Sequence, residues 1–349
     1  MGAYEVVELG RGGRDEEWQA YVGNAPHASL YHALEWRDIL VRSFQHRAVY
    51  LMARENGTTR GVLPLFEMQS MLFGHFFVSL PFLDYSGILA DTPDCETALA
   101  IAASDLARRR EAQYIELRQS HPAAQLVEGR WSLRQHKVAL VIPLSNDPKA
   151  HWSELSSRLR GKVRKAKKFG ITVLACGAEC LDCFYRVFAL NMRDLGTPVY
   201  SPAFFQNIFR LAEDATILLA HREGRPVSGA IALRHGDRIE LPWICSDYSH
   251  SSFYANECLY WGAIEWACGI GARELDLGRS TLDSGACRFK IQWNPKVRPL
   301  FWYYWLAPGN NLPELNPTNP RYSLAIRCWK HMPLALANRV GPWIVRNIP

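Results

Sequence analysis

ARELDLG at residues 272–278 reads as a later copy of AQYIELR at residues 112–118. In each, an alanine leads into an apolar–acidic–apolar alternation, Ile115-Glu116-Leu117 in one and Leu275-Asp276-Leu277 in the other. That alternation is the period of a strand. Working outward, an Ala-rich helical pattern (94–110) precedes the first copy and a helical pattern over 256–268 precedes the second. Further upstream the same tripeptide recurs, Asp84-Tyr85-Ser86 and Asp247-Tyr248-Ser249, each breaking a strand. A hairpin stands before each tripeptide. One runs His46 to Ala53 and Gly61 to Met68 around Asn56-Gly57; the other runs Ile217–His221 and Pro226–Arg234 around Glu223-Gly224-Arg225. Equal element order at near-equal spacing predicts two copies of one α/β unit, each a mixed twisted sheet flanked by helices. The expected division is 1–147, 148–310 and a basic amphipathic tail, 311–349.

Composition sets the class. At 349 residues, 48% hydrophobic and 21% charged, the chain is an ordinary globular protein large enough for two cores. Nine cysteines make an odd number, and MGAYEVVELG lacks the apolar core of a secretion signal. The expectation is a cytoplasmic protein with reduced thiols. The +6 net charge is concentrated in two places, which predicts a face for something anionic. The first is a linker, WSELSSRLRGKVRKAKKFG (152–170), with Arg158, Arg160, Lys162, Arg164, Lys165, Lys167 and Lys168 and no acid among them. It reads as one helix from a Ser153 cap to a Gly170 stop, with Trp152, Leu155, Leu159, Val163, Ala166 and Phe169 on one stripe. Lys162 falls inside that stripe. The second is the tail, which has no acid after Glu314 and places Arg321, Arg327, Lys330, Arg339 and Arg346 among Trp329, Leu334, Leu336, Trp343 and Ile344. Such a segment suits a peripheral contact with anionic lipid at the inner membrane face, or packing on its own domain.

Chemistry is expected just past strand ends, where a rigid strand aims a reachable side chain. LDLGRSTLDSGACRFKIQW (275–293) breaks at Gly278 and carries Arg279, Ser280 and Thr281 behind it. Alternation of Phe289, Ile291 and Trp293 with Arg288 and Lys290 predicts an extended segment holding both cations on one face. Other chemistries lack their motifs. There is no G-x-S-x-G elbow, no P-loop and no zinc spacing among the histidines, so no metal or cofactor is expected. Cys176, Cys180 and Cys183 have the spacing of a radical cluster, but no repeated strand–helix barrel surrounds them. The Gly-rich pyrophosphate turn of acetyl-CoA enzymes is also missing; SDYSHSSFYANEC (246–258) stands in its place.

The order of hairpin, third strand, helix and fourth strand resembles the acyltransferase superfamily called GNAT. With tandem units, the linker LRGKVRKAKKFGITV and the closing GRS…RFKIQW, the chain is similar over nearly its whole length to the FemAB-like family. NMRDLGTP and PLALANRVGP look nearest to the branch associated with exopolysaccharide and exosortase (PEP-CTERM) systems. The resemblance implies transfer of an aminoacyl or acyl group onto an amine or hydroxyl of a cell-envelope precursor, a peptidoglycan peptide or an exopolysaccharide-linked acceptor. Phe289-Lys290 matches the family's phenylalanine–lysine motif, so Lys290, helped by Arg279, is expected to stabilise the oxyanion. Asp84 or Asp247 is expected to orient or deprotonate the nucleophile, or only to hold the strand break. Arg160, Arg164 and Lys165 match the basic linker and are expected on donor or acceptor phosphates; Tyr85, Tyr248, Arg288 and Trp293 complete the substrate-binding set. The donor is aminoacyl-tRNA, or acyl-CoA or an acyl-carrier protein. The alternative from another class is a non-catalytic scaffold docking an envelope-polymer assembly.

Overall fold

The computed structural model describes residues 4–10, 14–70, 73–129, 131–212, 214–312 and 320–348. Residues 313–319 of the expected tail, 311–349, lie outside them. Two compact units form: residues 1–137 with 299–315 and 346–349, and residues 138–298 with 316–345.

In the first unit, the sheet order is Glu5–Glu8, Arg47–Glu55, Thr58–Ser70, Gly74–Val78, Tyr114–Gln119, Phe301–Leu306, Ser132–Arg134, with Leu89–Ala90 beside Thr58–Ser70. The expected hairpin forms around Asn56-Gly57, both at positive φ. Gly74–Val78 and Tyr114–Gln119 pair in parallel, joined through the helix Pro93–Arg109, whose cap is Thr92 accepting from the Cys95 N–H. Phe301–Leu306 departs from expectation. Placed in the second unit by the expected division at 148–310, it instead pairs antiparallel with Tyr114–Gln119 and Ser132–Arg134. It supplies hydrogen-bond partners to what would otherwise be a bare sheet edge, and its Trp302, Tyr303 and Tyr304 are buried.

In the second unit, the order is Lys296–Pro299, Lys137–Pro143, Glu274–Thr281, Arg238–Ser246, Arg225–His235, Ala215–Arg222, Thr172–Cys176. The helix Ala255–Gly269 is apolar on most of its surface and so lies inside, with Leu259, Ala263, Ile264 and Ala267 in one core with Leu275 and Leu277. Gly262 sets how closely that helix approaches the sheet, since a Cβ there would stand 2.7 Å from Val173. The linker is two helices rather than one, Pro148–Glu154 capped by Asp147 and Ser157–Lys168 capped by Ser156. Leu155, Leu159, Val163 and Ala166 are buried as the stripe predicts, while Phe169 is 46% exposed. Lys162 leaves the stripe for an ion pair at 3.0 Å with Glu257 and lies 5.8 Å over the Tyr254 ring.

The tail forms the helices Pro320–Lys330 and Leu334–Val345, both packed on the helix Leu181–Leu195 and the loop after it. Trp329, Ala337 and Val345 point inward, and Gly341 passes so close to the Val199 backbone that a Cβ would meet it at 2.9 Å. Leu324, Leu336 and Trp343 point outward, 67%, 48% and 71% exposed. No helix among the described residues is long and apolar enough to cross a membrane.

Candidate active site

Arg238–Ser246 and Glu274–Thr281 run in parallel, so their carboxyl ends lie at the same edge of the sheet. Their pairing covers only Arg238–Glu240 with Glu274–Asp276. Past Glu240 and Asp276 the two strands continue without a shared ladder. Asp276 closes the paired end: it is fully buried, forms an ion pair with Arg238 and accepts the Gly278 N–H at 2.9 Å. Gly278 has φ +73°, a left-handed conformation that suits glycine and turns the strand where it leaves its neighbour.

Behind that turn, the sequence expectation of an extended 288–293 fails. Ser284 accepts the Cys287 N–H and starts a helix, Gly285–Ile291. A helix rotates residues two apart to nearly opposite sides, so Arg288 and Lys290 do not share a face. Lys290 Nζ donates to the carbonyls of Gly278 and Arg279, 3.2 Å each. The lysine and the strand turn predicted from the motif are therefore brought together, through the Arg279 backbone. Arg288 is exposed and donates to Asp283 O at 2.5 Å. Trp293 is fully buried, stacked on Tyr260 with ring centroids 5.6 Å apart, which makes it core rather than a substrate contact. Ser280 Oγ is buried with no hydrogen-bond partner among protein atoms.

On the other strand, Ser246 Oγ bonds to Ser228 Oγ at 2.7 Å and to Asn256 Oδ1 at 3.0 Å, and Asn191 Nδ2 donates to Ser246 O at 2.9 Å. Four elements thus meet at one strand end. In the next turn, Asp247 accepts from the Ser249 N–H and hydroxyl and contacts His250 Nδ1 at 3.0 Å. Burial alone pushes the Asp247 carboxyl up, and the hydrogen bonds from Ser249 and His250 overcome it, leaving the group below the ordinary aspartate value. A carboxylate so occupied is a weak base. It is better placed to hold His250 with Nδ1–H toward the acid and Nε2 as the acceptor. His250 was missed in the sequence, where its signal was a histidine three residues after the strand-breaking aspartate. Tyr248, beside it, is 51% exposed.

The remaining expected residues divide. Asp84 and Tyr85, in the first unit, are 8% and 3% exposed; the Tyr85 ring packs edge-on to Tyr31 and its carbonyl accepts from Ser29. Arg160 donates to the carbonyls of Trp152 and Ser153, capping the preceding helix, and Arg164 lies 5.6 Å over the Trp152 ring. Lys165 faces solvent.

The family comparison falls on this same unit. Residues 153–290 match a family described as acetyltransferase (GNAT) domain. Residues 153–290 are thus a domain of the GNAT acetyltransferase kind. Over 83–92% of its length the chain is similar to solved structures that include a tandem GNAT protein. FemX matches at TM-score 0.67 and 16% identity, covering 92% of this chain and all of that one. A tandem GNAT protein from the clavulanic acid biosynthesis pathway matches at 0.58 and 11%, covering 88% and 100%. The C-terminal domain of a putative lysylphosphatidylglycerol synthetase from Agrobacterium fabrum matches at 0.59 and 11%, covering 83% and 90%. No curated protein matches the sequence. The two α/β units expected from the internal repeat, and the tandem GNAT fold that the resemblance implied, are the fold observed.

Proposed function

We propose that the chain transfers an aminoacyl or acyl group onto an amine or hydroxyl of a cell-envelope precursor, either a peptidoglycan peptide or an exopolysaccharide-linked acceptor. The observation that carries this is Lys290 Nζ on the Gly278 and Arg279 carbonyls, at the end of a strand that has parted from its neighbour. An ammonium fixed there opposes the charge that grows on an ester or thioester carbonyl oxygen under attack. The orphan Ser280 hydroxyl offers a second donor, and Arg279 adds charge. His250, held by Asp247, would take the proton of the attacking amine or hydroxyl through Nε2. Tyr248 and Arg288 would line the approach. The cations of Ser157–Lys168 would hold the phosphates of a tRNA or coenzyme A, or the acidic surface of a carrier protein. The names of FemX and of a lysylphosphatidylglycerol synthetase among the similar structures support aminoacyl chemistry at the envelope. The outward face of the tail would bring the enzyme to an anionic inner-membrane surface.

The test is single-turnover transfer, run with charged tRNA, acyl-CoA and acylated carrier protein as donors. With the donor that works, Lys290→Met should lower turnover by roughly two to three orders of magnitude, the usual loss for one such donor, at unchanged substrate affinity and melting temperature. Lys290→Arg should rescue poorly, because a planar fork does not replace a point charge. Loss of turnover in step with loss of stability would make Lys290 structural. Failure of all three donors would favour the scaffold.

A further inference from the structure

The edge strand of the second sheet, Thr172–Cys176, ends four residues before the long helix Leu181–Leu195 begins, and the eight residues 176–183 that span this junction carry three thiols and the carboxylates of Glu179 and Asp182. Spacing alone gave these cysteines no role, because no cluster-binding barrel surrounds them. The structure supplies what spacing lacked. Cys176 is fixed by the ladder, opposite Ile217 on the neighbouring strand, whose carbonyl lies 3.6 Å from its Sγ. The chain then turns through Ala178–Cys180, where the Glu179 carboxylate accepts the Gly177 N–H at 2.8 Å. This folds Cys180 back, so that the sulfurs of Cys176 and Cys180 and an oxygen of Glu179 all lie within 4.8 Å of one another. All three residues are at least partly open to solvent.

We propose that Cys176, Glu179 and Cys180 form a binding site for a thiophilic divalent cation of the Zn2+ class. Tetrahedral zinc takes sulfur at about 2.3 Å and carboxylate oxygen at about 2.0–2.2 Å, which places ligand atoms roughly 3.5–3.8 Å apart. The observed triangle reaches that size by side-chain rotation, with the strand and helix left in place. Binding releases the two thiol protons to solvent and leaves two thiolates and one carboxylate around a dication, a net negative group. That charge sits at the amino end of a 15-residue helix, where the backbone N–H groups favour it. Solvent, or Cys183 one turn into the helix, completes the fourth position. Cys183 Sγ is now 3.3 Å from Arg186, which would have to release it. The bound ion would clip the last strand of the sheet to the helix that follows it. This inference does not rest on the transferase reading.

The test uses the full chain, reduced and stripped of metal by a chelator, titrated with Co2+ and then Zn2+. One Co2+ per chain should bind with a thiolate-to-cobalt charge-transfer band and tetrahedral ligand-field bands, and Zn2+ should displace it and raise the melting temperature. Cys176→Ser and Cys180→Ser should each abolish the band. Glu179→Gln should weaken binding at least about tenfold, the cost typical even of an outer-shell partner. Cys328→Ser, at an exposed thiol elsewhere, should change nothing. Absence of the band overturns the proposal, as does a band that survives in both cysteine variants. A Cys176–Cys180 disulfide in the chain as purified would replace it with redox chemistry. Stoichiometric iron and sulfide in anaerobic protein would replace it with a cluster.

Discussion

The two units place the same tripeptide in opposite environments. Asp84-Tyr85-Ser86 is buried, at 8%, 3% and 4% exposure, and the Ser86 N–H donates to the Arg118 carbonyl at 2.7 Å. The loop it belongs to thereby closes over the end of the strand Tyr114–Gln119. Asp247-Tyr248-Ser249 stands at a more open strand end, with Tyr248 half exposed and Ser249 exposed. The difference extends to the matching strands. Glu116 and Asp276 are equivalent in the repeat and both fully buried. Glu116 is neutralised from its own strand by Arg118, at 2.6 Å, and that guanidinium goes on to the Leu83 carbonyl at 3.2 Å and the Trp302 ring at 4.7 Å. At the position matching Arg118 the second unit has Gly278, and Asp276 takes its cation from the neighbouring strand, Arg238. In the first unit the end of the matching strand is filled by an arginine and its partners. In the second, the glycine carries no side chain, and Lys290 Nζ reaches its carbonyl. Duplication supplied the frame twice, and the pair Arg118 and Gly278 marks one place where the two copies part.

The sharpest way to break this comparison is to remove each buried cation. Arg118→Met leaves Glu116 uncompensated at zero exposure and should cost about 3–5 kcal/mol in urea unfolding. Arg238→Met should cost less, about 1–3 kcal/mol, because Asp276 keeps the Gly278 N–H and the Arg238 side chain is already 27% exposed. Equal losses would mean that the two pairs do the same structural work.

How much of this was legible in the sequence follows from how local each signal is. The repeat was legible because Ala112 and Ala272, Ile115 and Leu275, Glu116 and Asp276 occupy the same pleat positions. The helix Gly285–Ile291 was misread because Phe289, Ile291 and Trp293 alternate like a strand. Yet Ile291 is 48% exposed while Cys287 and Trp293 are buried, and Ser284 supplied a cap that the alternation hid. The break at Leu155-Ser156 was missed for a similar reason, since an apolar stripe ran across it. The pairing of Phe301–Leu306 with Tyr114–Gln119 joins residues far apart in sequence, and no window of local pattern contains it. Lys290 was found through a motif and Ser280 through the strand break; His250 and Asn256 were missed, because only the fold shows which polar groups stand at the other strand end.

A smaller effect is expected from the basic linker, where the structure separates cations that share a sequence run. Replacing Arg160, Arg164 and Lys165 with Gln should weaken binding of the polyanionic partner at low salt, and the difference should shrink as ionic strength rises. Lys165→Gln alone should weaken binding with unchanged stability. Arg160→Gln should also loosen the fold, since its guanidinium caps Trp152 and Ser153. A triple variant that binds as the parent does at low salt would reduce the run to a solvated and capping surface.

The smallest effect belongs to the tail, which belongs to the second unit for most of its length and has no counterpart in the repeat. Its inward face is accounted for by packing on the helix Leu181–Leu195. Its outward face has Leu336 and Trp343 seven residues apart, hence on one side of the helix Leu334–Val345, with Arg339 between them and no acid anywhere after Glu314. An apolar pair flanked by unopposed cations suits the headgroup region of an anionic bilayer, where each cation contributes about 1 kcal/mol. In sedimentation with vesicles, the chain should bind those containing an anionic lipid and not purely zwitterionic ones, and binding should fall with salt. Arg339→Gln should lower the partition coefficient about fivefold, the equivalent of that 1 kcal/mol. Trp343→Ser should lower it at all salt concentrations, because its contribution is burial rather than charge. Equal partition of parent and variants, or none by the parent at low salt, would leave the tail as a brace of the second unit alone.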